Sequence, residues 1–395
     1  MSNHARKAIF WTLFAVFIAA GVPLVLLSAG YRFRFDTFTV TRSGGLYVRS
    51  IPADAEILID GKPTPNDSGI LSSGTFVTGL VPGKYELEVS KEGYHPFNAT
   101  AEIIPLQADS FEKLVLVPKI HNSYLTGDIS DFYVKGGQAI TKDSAGKLRY
   151  DGQIITGEQF EFFTADRKSV VTSVSSEGER VYFLVSLANP KASTNINEIF
   201  WNLKNIKLAL PGEVPVVAMA PHPYDSDKVI LSTRAALYIV DLKSLSITRN
   251  GDGAERIIRE NSSVFLVRDG SLVGFNVTLK TSYPIMDVQD YSILSISPNG
   301  KKAAVLWDNK TLEIYDMDAN KSFRFDLSDL HGIKDIFWHK ASGYVFVLSG
   351  NDLHYLYVEK ENMEPSVIYE GLEQAKYSDG ELFTLSGREI KTSRF

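Results

Sequence analysis

AVLWDNKTLEIYD occupies residues 304–316, and its pattern sets the expected fold for most of this chain. Residues 304–307 and 312–315 are mostly apolar, and a polar turn joins them. Short apolar runs bounded by turn residues are typical of buried β-strands. We therefore expect two antiparallel strands here, the second ending on Asp316.

The same two-strand pattern occurs in three further segments, at residues 229–241, 264–276 and 344–357. Across the four copies the second strand ends at residue 241, 276, 316 or 357, on Asp, Asn, Asp and Tyr respectively. A period of about 40 residues with several short strands per unit indicates the blades of a β-propeller. Residues 119–395 then hold about seven blades. Six or eight blades stay open because the repeats before residue 210 are degenerate, and the alternative fold is a pair of long β-sandwiches.

The turn at residues 297–302, SPNGKK, resembles the turn that opens the blades of WD-like and PD40-like repeats. Tyr315-Asp316 stands where a WD dipeptide would fall in such a blade. The resemblance implies a propeller, whose usual ligand surface is one end of its central channel.

Residues 44–118 form a separate segment with strand alternation and no helical period. Leu46, Val48 and Ser50 alternate with the residues between them, as a half-buried strand requires. Asp60-Gly61 follows an apolar run and predicts a two-residue hairpin turn, because Gly accepts a positive φ. We expect a compact all-β module.

Five short motifs in this segment resemble the PEGA domain family: GLYV at 45–48, PADA at 52–55, ILIDGK at 57–62, LVPG at 80–83 and KEGY at 91–94. Pro52 and Ala55 keep two residues of the family's name motif, whereas Ala53 and Asp54 replace its Glu and Gly. The resemblance implies a small β-sandwich without catalytic residues. It also implies an extracytoplasmic part of a bacterial or archaeal surface protein.

AIFWTLFAVFIAAGVPLVLLSA, at residues 8–29, carries no charged side chain. A helix of this length at about 1.5 Å per residue crosses a hydrocarbon core of about 30 Å. A cleaved signal peptide and a buried core helix are the alternatives, but the run is long for either and the site after Ala29 is poor for cleavage. We favour an uncleaved signal anchor, with the lipid bilayer as its partner through residues 8–29.

Residues 30–43 form the predicted juxtamembrane linker. Tyr31, Phe33 and Phe35 alternate there with Arg32 and Arg34, a pattern that fits an interfacial anchor and an edge strand equally well. Basic residues flank the apolar run on both sides, so their count gives almost no preference for orientation. The PEGA resemblance is the main reason for placing the body outside.

The expected fold class is therefore mainly β, with an N-terminal transmembrane helix, a small PEGA β-sandwich and a β-propeller of about seven blades. The predicted segments are a cytoplasmic tail at 1–7, the transmembrane anchor at 8–29, the linker at 30–43, the PEGA domain at 44–118 and the propeller at 119–395.

Composition limits the chemistry. The net charge of −6 argues against nucleic acid as a partner, and the absence of cysteine excludes disulfides and thiolate metal sites. The seven histidines show no metal-ligand spacing. The run 316–320 begins like a calcium loop, but Lys321 and Leu327 stand where that loop needs Gly and Glu. We interpret this run, and Asp225 with Asp227, as turns, and we expect no metal and no cofactor.

No catalytic motif stands out: G-x-S-x-G, the P-loop, the dinucleotide fingerprint and the turns of sialidase-like propellers are all missing from the sequence. Phe200-Trp201, Trp307 and Phe337-Trp338 are candidates for stacking on sugar rings, although large aromatics on strands are more often core. We expect no catalytic, cofactor-binding or metal-binding residues. The expected function is binding or scaffolding in the cell envelope, with an envelope protein or a cell-wall polysaccharide as partner, and the alternatives are an envelope hydrolase and a sensor or assembly factor.

The orientation can be tested with single cysteines, because the chain has none of its own. In whole cells an impermeant thiol reagent is expected to label Ser366→Cys but not Ser2→Cys, and to label both after lysis. Labelling of position 2 alone would reverse the orientation. A mature protein that lacks residues 1–29 would exclude the anchor.

Overall fold

The computed structural model describes residues 3–34, 38–65, 74–119, 122–176, 179–199 and 216–395. The chain divides into two compact units, Met1–Ile120 (with Phe395) and His121–Arg394. The boundary between the units lies within two residues of the predicted start of the propeller segment at residue 119. Each unit is described by itself.

The first unit begins with helix α1, Asn3–Ser28, which contains Pro23. The stretch Ile9–Ser28 has a mean hydropathy of 2.4, and none of it is buried in the protein. This is long and apolar enough to cross a membrane, and a signal sequence would meet the same test. A core helix is buried, so the structure disagrees with that alternative.

A two-stranded hairpin follows the helix. It consists of β1, Tyr31–Arg34, and β2, Thr39–Arg42, and its register places Tyr31 opposite Arg42 and Phe33 opposite Val40. The alternating Tyr, Phe and Arg residues of the linker therefore lie on a strand, while Phe35 falls outside the described residues. The hairpin is joined to the helix end, because the Ser43 backbone N–H donates to the Gly30 carbonyl at 2.8 Å.

Seven strands in two sheets make up the rest of the first unit. They are β3 (Gly44–Ile51), β4 (Glu56–Ile59), β5 (Lys62–Thr64), β6 (Thr75–Leu80), β7 (Gly83–Ser90), β8 (Phe97–Ile103) and β9 (Ala108–Val115). One sheet has the order β6-β3-β9, with β3 and β9 parallel, and the other has the antiparallel order β5-β4-β7-β8. Strands β3 and β8 touch across the two sheets, as in a sandwich.

The alternation predicted from the sequence is confirmed in this sandwich. Leu46, Val48 and Ser50 are buried, as are Leu87 and Val89 on β7. Burial of one face of each strand removes apolar surface from water at about 25 cal/mol per Å² and fixes the strand register, because a slip by one residue would expose the whole face.

The Asp60-Gly61 turn is also confirmed. Ile59 pairs with Lys62, so the loop has two residues, and both have positive φ, 48° for Asp60 and 69° for Gly61. Two left-handed residues in a two-residue loop match the right-handed twist of the flanking strands. A Cβ at Gly61 would meet no atom within 4 Å, so only the backbone conformation restricts this position.

In the residues that the structure describes, the second unit contains seven four-stranded antiparallel sheets. The first three hold β11 (Asp131–Lys135), β12 (Gln138–Lys142), β13 (Leu148–Tyr150) and β14 (Gln153–Ile154); β15 (Gln159–Phe163), β16 (Ser169–Ser176), β17 (Glu179–Ser186) and β18 (Ser193–Asn195); and β19 (Ala218–Pro221), β20 (Lys228–Ser232), β21 (Ala236–Asp241) and β22 (Ser246–Asp252).

The fourth to sixth sheets follow the same sequential order. They hold β23 (Arg256–Glu260), β24 (Ser263–Arg268), β25 (Ser271–Asn276) and β26 (Thr281–Asp287); β27 (Tyr291–Ile296), β28 (Lys302–Trp307), β29 (Thr311–Asp316) and β30 (Lys321–Asp326); and β31 (Ile333–Trp338), β32 (Tyr344–Ser349), β33 (Asp352–Tyr357) and β34 (Ser366–Tyr369).

The seventh sheet joins the two ends of the unit. Its strands are β35 (Gln374–Ser378), β36 (Glu381–Ser386) and β37 (Glu389–Arg394), and its fourth strand is β10 (Asn122–Thr126), which pairs with β37. Beneath this sheet, Phe132 and Ile129 of the first sheet pack with Phe383, Leu385 and Ile390 of the seventh. The beginning and the end of the unit therefore share one sheet and one core.

Neighbouring sheets share cores along the whole unit. One buried cluster joins the first and second sheets, and four more join each following pair up to the fifth and sixth. Between the sixth and seventh sheets, the Tyr377 ring lies 5.0 Å from His339 and 5.6 Å from Phe346. The strands form separate small sheets, and the described residues show no closed barrel.

The two strands of each predicted repeat are the second and third strands of a sheet, as in β28 and β29. The residue that ends the third strand has a defined role, because the Asp241, Asn276 and Asp316 side chains each accept two backbone N–H groups of the next turn at 2.8–3.1 Å. Run 316–320 is thus the turn between β29 and β30, as interpreted from the sequence. These caps explain the Asp or Asn at the repeat ends.

A turn that the sequence reading missed lies in the degenerate part. Thr164 Oγ1 donates to Asp166 Oδ1 at 2.7 Å and accepts the Ser169 N–H at 3.1 Å. Ser297 makes the same two bonds in the predicted blade-opening turn, to Asn299 Oδ1 at 2.7 Å and from the Lys302 N–H at 2.8 Å. Thr164 and Asp166 replace Ser297 and Asn299 without loss of these two hydrogen bonds. The same turn is therefore present in both sheets although the residue types differ.

Gly61→Val is expected to destabilise the sandwich by about 1–2 kcal/mol, because a β-branched residue is strained at positive φ. In thermal unfolding of a fragment spanning residues 44–118, each kcal/mol lowers Tm by about 4–8 °C. Gly61→Asn is the matched control, since Asn tolerates the left-handed region, and it should lower Tm less. An unchanged Tm for Gly61→Val would contradict the turn conformation.

Candidate functional site

First strands of neighbouring sheets contact one another. Strand β19 contacts β15 and β23, strand β31 contacts β27 and β35, and β35 contacts β11. Tyr133 of β11 stacks on Phe160 of β15 with ring centroids 4.4 Å apart. Charged side chains on these strands come together in two groups, one near the strand starts and one near the strand ends.

The first group, called the strand-start cluster, consists of Asp131, Tyr133, Arg256, Asp335 and Lys376. Lys376 Nζ lies 3.1 Å from Asp131 Oδ1 and 3.7 Å from the centroid of the Tyr133 ring. The Tyr133 hydroxyl donates to Asp131 Oδ2 at 2.8 Å. One lysine is thus held by a carboxylate and an aromatic face, an arrangement that fixes its position.

Asp335 lies in the same cluster and within electrostatic range of Lys376 and Arg256. Burial raises the pKa of its carboxyl, although the Ile336 N–H, which donates to Oδ1 at 2.8 Å, opposes the shift. Burial also lowers the pKa of Lys376, against the pull of Asp131. Burial is the largest cause of both shifts, so desolvation disfavours the charged forms by more than the opposite charges around them favour those forms.

The second group, called the strand-end cluster, consists of Lys135, Arg167, Arg259, Glu260 and Asp379. The Gly136 N–H donates to Asp379 Oδ2 at 2.6 Å, which links the turns of the first and seventh sheets. The Arg167 guanidinium lies so close to Gly136 that any Cβ there would overlap it. Burial, followed by the charge of Arg259, lowers the pKa of Lys135, and burial raises the pKa of Glu260.

Lys135 is exposed and Arg259 is half-buried with a buried Nε. The protein around Lys135 is still the main cause of its lowered pKa. Arg259 Nε makes no hydrogen bond to any described residue. Cations of this kind can receive a carboxylate, phosphate or sulfate group from outside.

A cavity of about 660 Å³ lies between the third and fourth sheets, near the starts of their first strands. Arg234, Asp252, Glu255, Arg268 and Asp269 supply its charged wall. Arg268 Nε donates to the Gly253 carbonyl at 2.8 Å, which holds that guanidinium against the wall. The cavity is polar and of ligand size.

The aromatic candidates are scattered. Trp338 is buried and its indole N–H donates to the Ser295 carbonyl at 3.2 Å, so it is a core residue. Phe337 stacks on Phe346 at 5.1 Å. Trp307 lines a second cavity of about 510 Å³ and donates to Glu313 Oε2 at 3.0 Å. The pair at residues 200–201 lies outside the described residues.

Two of the histidines hold turns. His222 Nδ1 accepts the Tyr224 N–H at 3.3 Å, and His339 Nδ1 accepts the Ala341 N–H at 3.1 Å. Burial lowers the pKa of His339 to about 3, so its ring is neutral. Asp225, in the His222 turn, accepts the Asp227 N–H and pairs with Lys228 at 2.5 Å. In the part of the chain that the structure describes, no three His, Asp or Glu side chains are placed to hold a metal ion.

Sequence reasoning did not find the charged clusters. Lys376 and Asp131 are 245 residues apart in the chain, and only the pairing of its ends brings them together. One signal was available: the first strands DFYVK, RIIRE and QAKYS each carry at least one charged residue. Charge on a central strand is costly unless the strand faces water or a partner.

The comparison with known families supports the first unit alone. Residues 43–115 match the model of the PEGA domain, in agreement with the sequence motifs, and this stretch covers β3 to β9. No curated protein matches the chain. The fold of the second unit and the functional residues therefore depend on the structure.

Asp335→Asn is expected to stabilise the chain at pH 7 and to have no effect below about pH 3, where both states are protonated. The reason is that a raised carboxyl pKa means an ionisation cost in the folded state. The protonated Asp335 carboxyl stabilises the folded state. This contribution is fully present at pH values below the pKa that Asp335 has in the unfolded chain, and it is lost as the pH rises through its pKa in the folded chain. Asn keeps the bond from Ile336, and thermal unfolding from pH 3 to 8 measures the difference.

Asp326→Asn is the matched control. The pKa of Asp326 is lowered, chiefly by the Ser328 N–H, so its ionised form stabilises the fold above the unfolded pKa and this is lost as pH falls. This variant should lose stability at pH 7. If Asp335→Asn instead lowers Tm at pH 7, the Lys376 and Arg256 charges outweigh burial and the interpretation is wrong.

Proposed function

We propose that the seven sheets form a closed seven-bladed β-propeller with the charged clusters lining its central channel. The observation that carries the proposal is the core shared by the first and seventh sheets, together with the strand β10 that the seventh sheet takes from the start of the unit. A propeller is closed by such a mixed sheet. Each other pair of successive sheets shares a core as well.

The turns after the first strands support this ring. Arg167 touches Gly136 and Gly136 bonds Asp379, so turns of the second, first and seventh sheets meet in that order. Asn261 of the fourth sheet donates to the Pro298 carbonyl of the fifth. Lys135 lies within electrostatic range of Arg259 and Glu260, three sheets further along the chain. An electrostatic interaction between side chains that lie three sheets apart in the chain fits a narrow central channel.

The propeller would be carried by a membrane anchor. Helix α1 has the length and hydropathy of a membrane span, and PEGA domains are extracellular, which supports an uncleaved anchor with the body outside the cell. The PEGA domain separates the anchor from the propeller in the chain. This organisation suits a protein that works at the cell surface.

Its function would be to bind an envelope component at the channel mouth. In the strand-start cluster each carboxylate has a cation within reach, so the charges are balanced and preorganised for recognition. In the strand-end cluster Lys135, Arg167 and Arg259 outnumber Glu260 and Asp379. A cell-wall polysaccharide or an envelope protein segment that carries anionic groups fits this mouth.

An envelope hydrolase is the second candidate, because of one observation. Asp335 has a raised pKa and lies within electrostatic range of Asp131, and two carboxyl groups in different environments are the usual equipment of a glycosidase. Asp131 is bonded to Lys376 and Tyr133, however, which restricts its access to a substrate. We therefore favour binding.

The soluble fragment 119–395 is expected to bind purified cell-wall glycans or envelope extract without turning them over. Binding by calorimetry and product release by reducing-end and free-peptide assays are measured together. Lys135→Glu should weaken binding by about tenfold, the usual effect of reversing one charge at about 1.4 kcal/mol.

Lys243→Glu is the matched control, because Lys243 is an exposed lysine on the outer turn after β21. It should leave binding unchanged. Steady product release that Asp335→Asn abolishes would overturn the binding function in favour of the hydrolase. If Lys135→Glu and Lys243→Glu change the binding affinity equally, the strand-end cluster is not part of the binding site.

A further inference from the structure

We propose that the membrane-proximal end of the first unit docks onto the lipid bilayer through two apolar turns, in addition to the helix. The docking surface consists of Phe33, Phe38 and Val40 on the β1–β2 hairpin and Ile104 and Leu106 in the β8–β9 turn. It rests on the membrane anchor of the proposed function. The partner is the headgroup and upper acyl region of the same bilayer that α1 crosses.

Outside helix α1, the docking surface contains most of the exposed large apolar side chains of the first unit. In the described residues of 30–119, seven large apolar side chains are exposed, and five of them are those of the docking surface. Phe38 is 81% exposed and Leu106 is 66% exposed. The rings of Phe33 and Phe38 pack against each other with centroids 6.2 Å apart, so they form one apolar tip. Exposed apolar patches of this kind mark interaction sites.

Two of these residues are also in an unusual conformation. Phe38 has φ of 51° and Leu106 has φ of 61°, in turns where glycine or asparagine is favoured. The Leu106 turn is closed by the Gln107 N–H, which donates to the Ile104 carbonyl at 3.2 Å. Phe38 packs on Phe33 but remains largely exposed, as does Leu106, so these apolar residues in strained turns gain little burial within the fold, which points to a contact outside it.

Hydrogen bonds place the base of the hairpin and the β8–β9 turn at the end of the helix. Ser43 donates from N–H and Oγ to the Gly30 carbonyl at 2.8 and 2.9 Å, and its own carbonyl accepts the Leu106 N–H at 3.1 Å. The hairpin begins at Tyr31 and has four-residue strands, so its residues lie within about 13 Å of the helix end at about 3.3 Å per residue. The interfacial region of the bilayer has a similar depth.

The Arg32 side chain fixes the hairpin to the sandwich. Its Nε donates to the Gly79 carbonyl at 3.3 Å and its Nη1 to the Leu27 carbonyl at 3.4 Å. Gly79 is needed for this approach, because a Cβ there would lie 2.6 Å from the guanidinium. Arg42 lies 5.1 Å from the centroid of the Tyr31 ring and is exposed. These two cations beside an apolar surface suit anionic headgroups.

The test uses the full chain reconstituted in anionic lipid vesicles, with one nitroxide-labelled cysteine per variant. The chain has no native cysteine. Phe38→Cys and Leu106→Cys report on the surface, and both positions are exposed, so the fold is unaffected. Ile51→Cys is the matched control, since Ile51 is 48% exposed at the far end of β3. Phe17→Cys reports on the helix.

Labels at 38 and 106 are expected to collide with oxygen more often than with a water-soluble nickel complex, with nickel collisions severalfold fewer than at 51. If the label at 17 is in lipid while 38 and 106 match 51, the anchor stands and the docking surface is wrong. If the label at 17 is in water, both are wrong. Labels at 38 and 106 shielded from oxygen and nickel alike would mean a protein partner and would overturn docking to lipid.

Discussion

The pairing of β10 with β37 is the contact on which the second unit depends. It joins residues near the start of the unit to its last strand, and the Ile129–Phe132 and Phe383–Ile390 side chains bury a common core beneath it. Each sheet alone exposes two apolar faces and needs a neighbour on both sides. Without this pairing the first and seventh sheets would each lack one neighbour, so the contact removes two apolar faces from water at once. The clusters of charged residues exist only because this pairing brings Asp131 to Lys376.

A second level of order comes from short polar side chains in turns. Asp241, Asn276 and Asp316 accept backbone N–H groups after third strands, and Thr164 and Ser297 cap the turns after first strands. The described turns after the first strands of the first and seventh sheets lack these side-chain caps. A hydrogen bond from the Gly136 N–H to the Asp379 carboxylate links these two turns instead. The turns thus determine the register between neighbouring strands within a sheet. The apolar faces of the sheets determine which sheets pack against each other.

The sequence predicted those parts of the fold that depend on local pattern. The strands of the third to sixth sheets were found because their second and third strands are apolar runs, and the Asp60-Gly61 turn because its chemistry is specific. The first two sheets were missed as repeats. In the first sheet the second strand, β12, reads QAITK and the third strand, β13, has only three residues, so their apolar runs are too short to align. In the second sheet Ser and Thr interrupt the apolar run of β16, SVVTSVSS. The candidate site was not predictable, because side chains from four sheets converge and a single sequence carries no information about that convergence. Of the aromatic candidates for sugar stacking, Trp338 belongs to the core, which is the more common role of a large aromatic residue on a strand.

Solvent access explains why the first strands of this unit tolerate charged groups. A carboxylate in a dry core would remain protonated or unpaired at a cost of several kcal/mol. Here Asp131 is about a quarter exposed, as is Lys376, and Lys135 is open to solvent. Water therefore reaches the clusters in part, while desolvation is still the largest cause of the pKa shifts of Asp335, Lys376 and Lys135. Such a surface weakens the strands, because apolar side chains at these positions would bury more area. The stability forgone there is compensated by the shared cores between sheets.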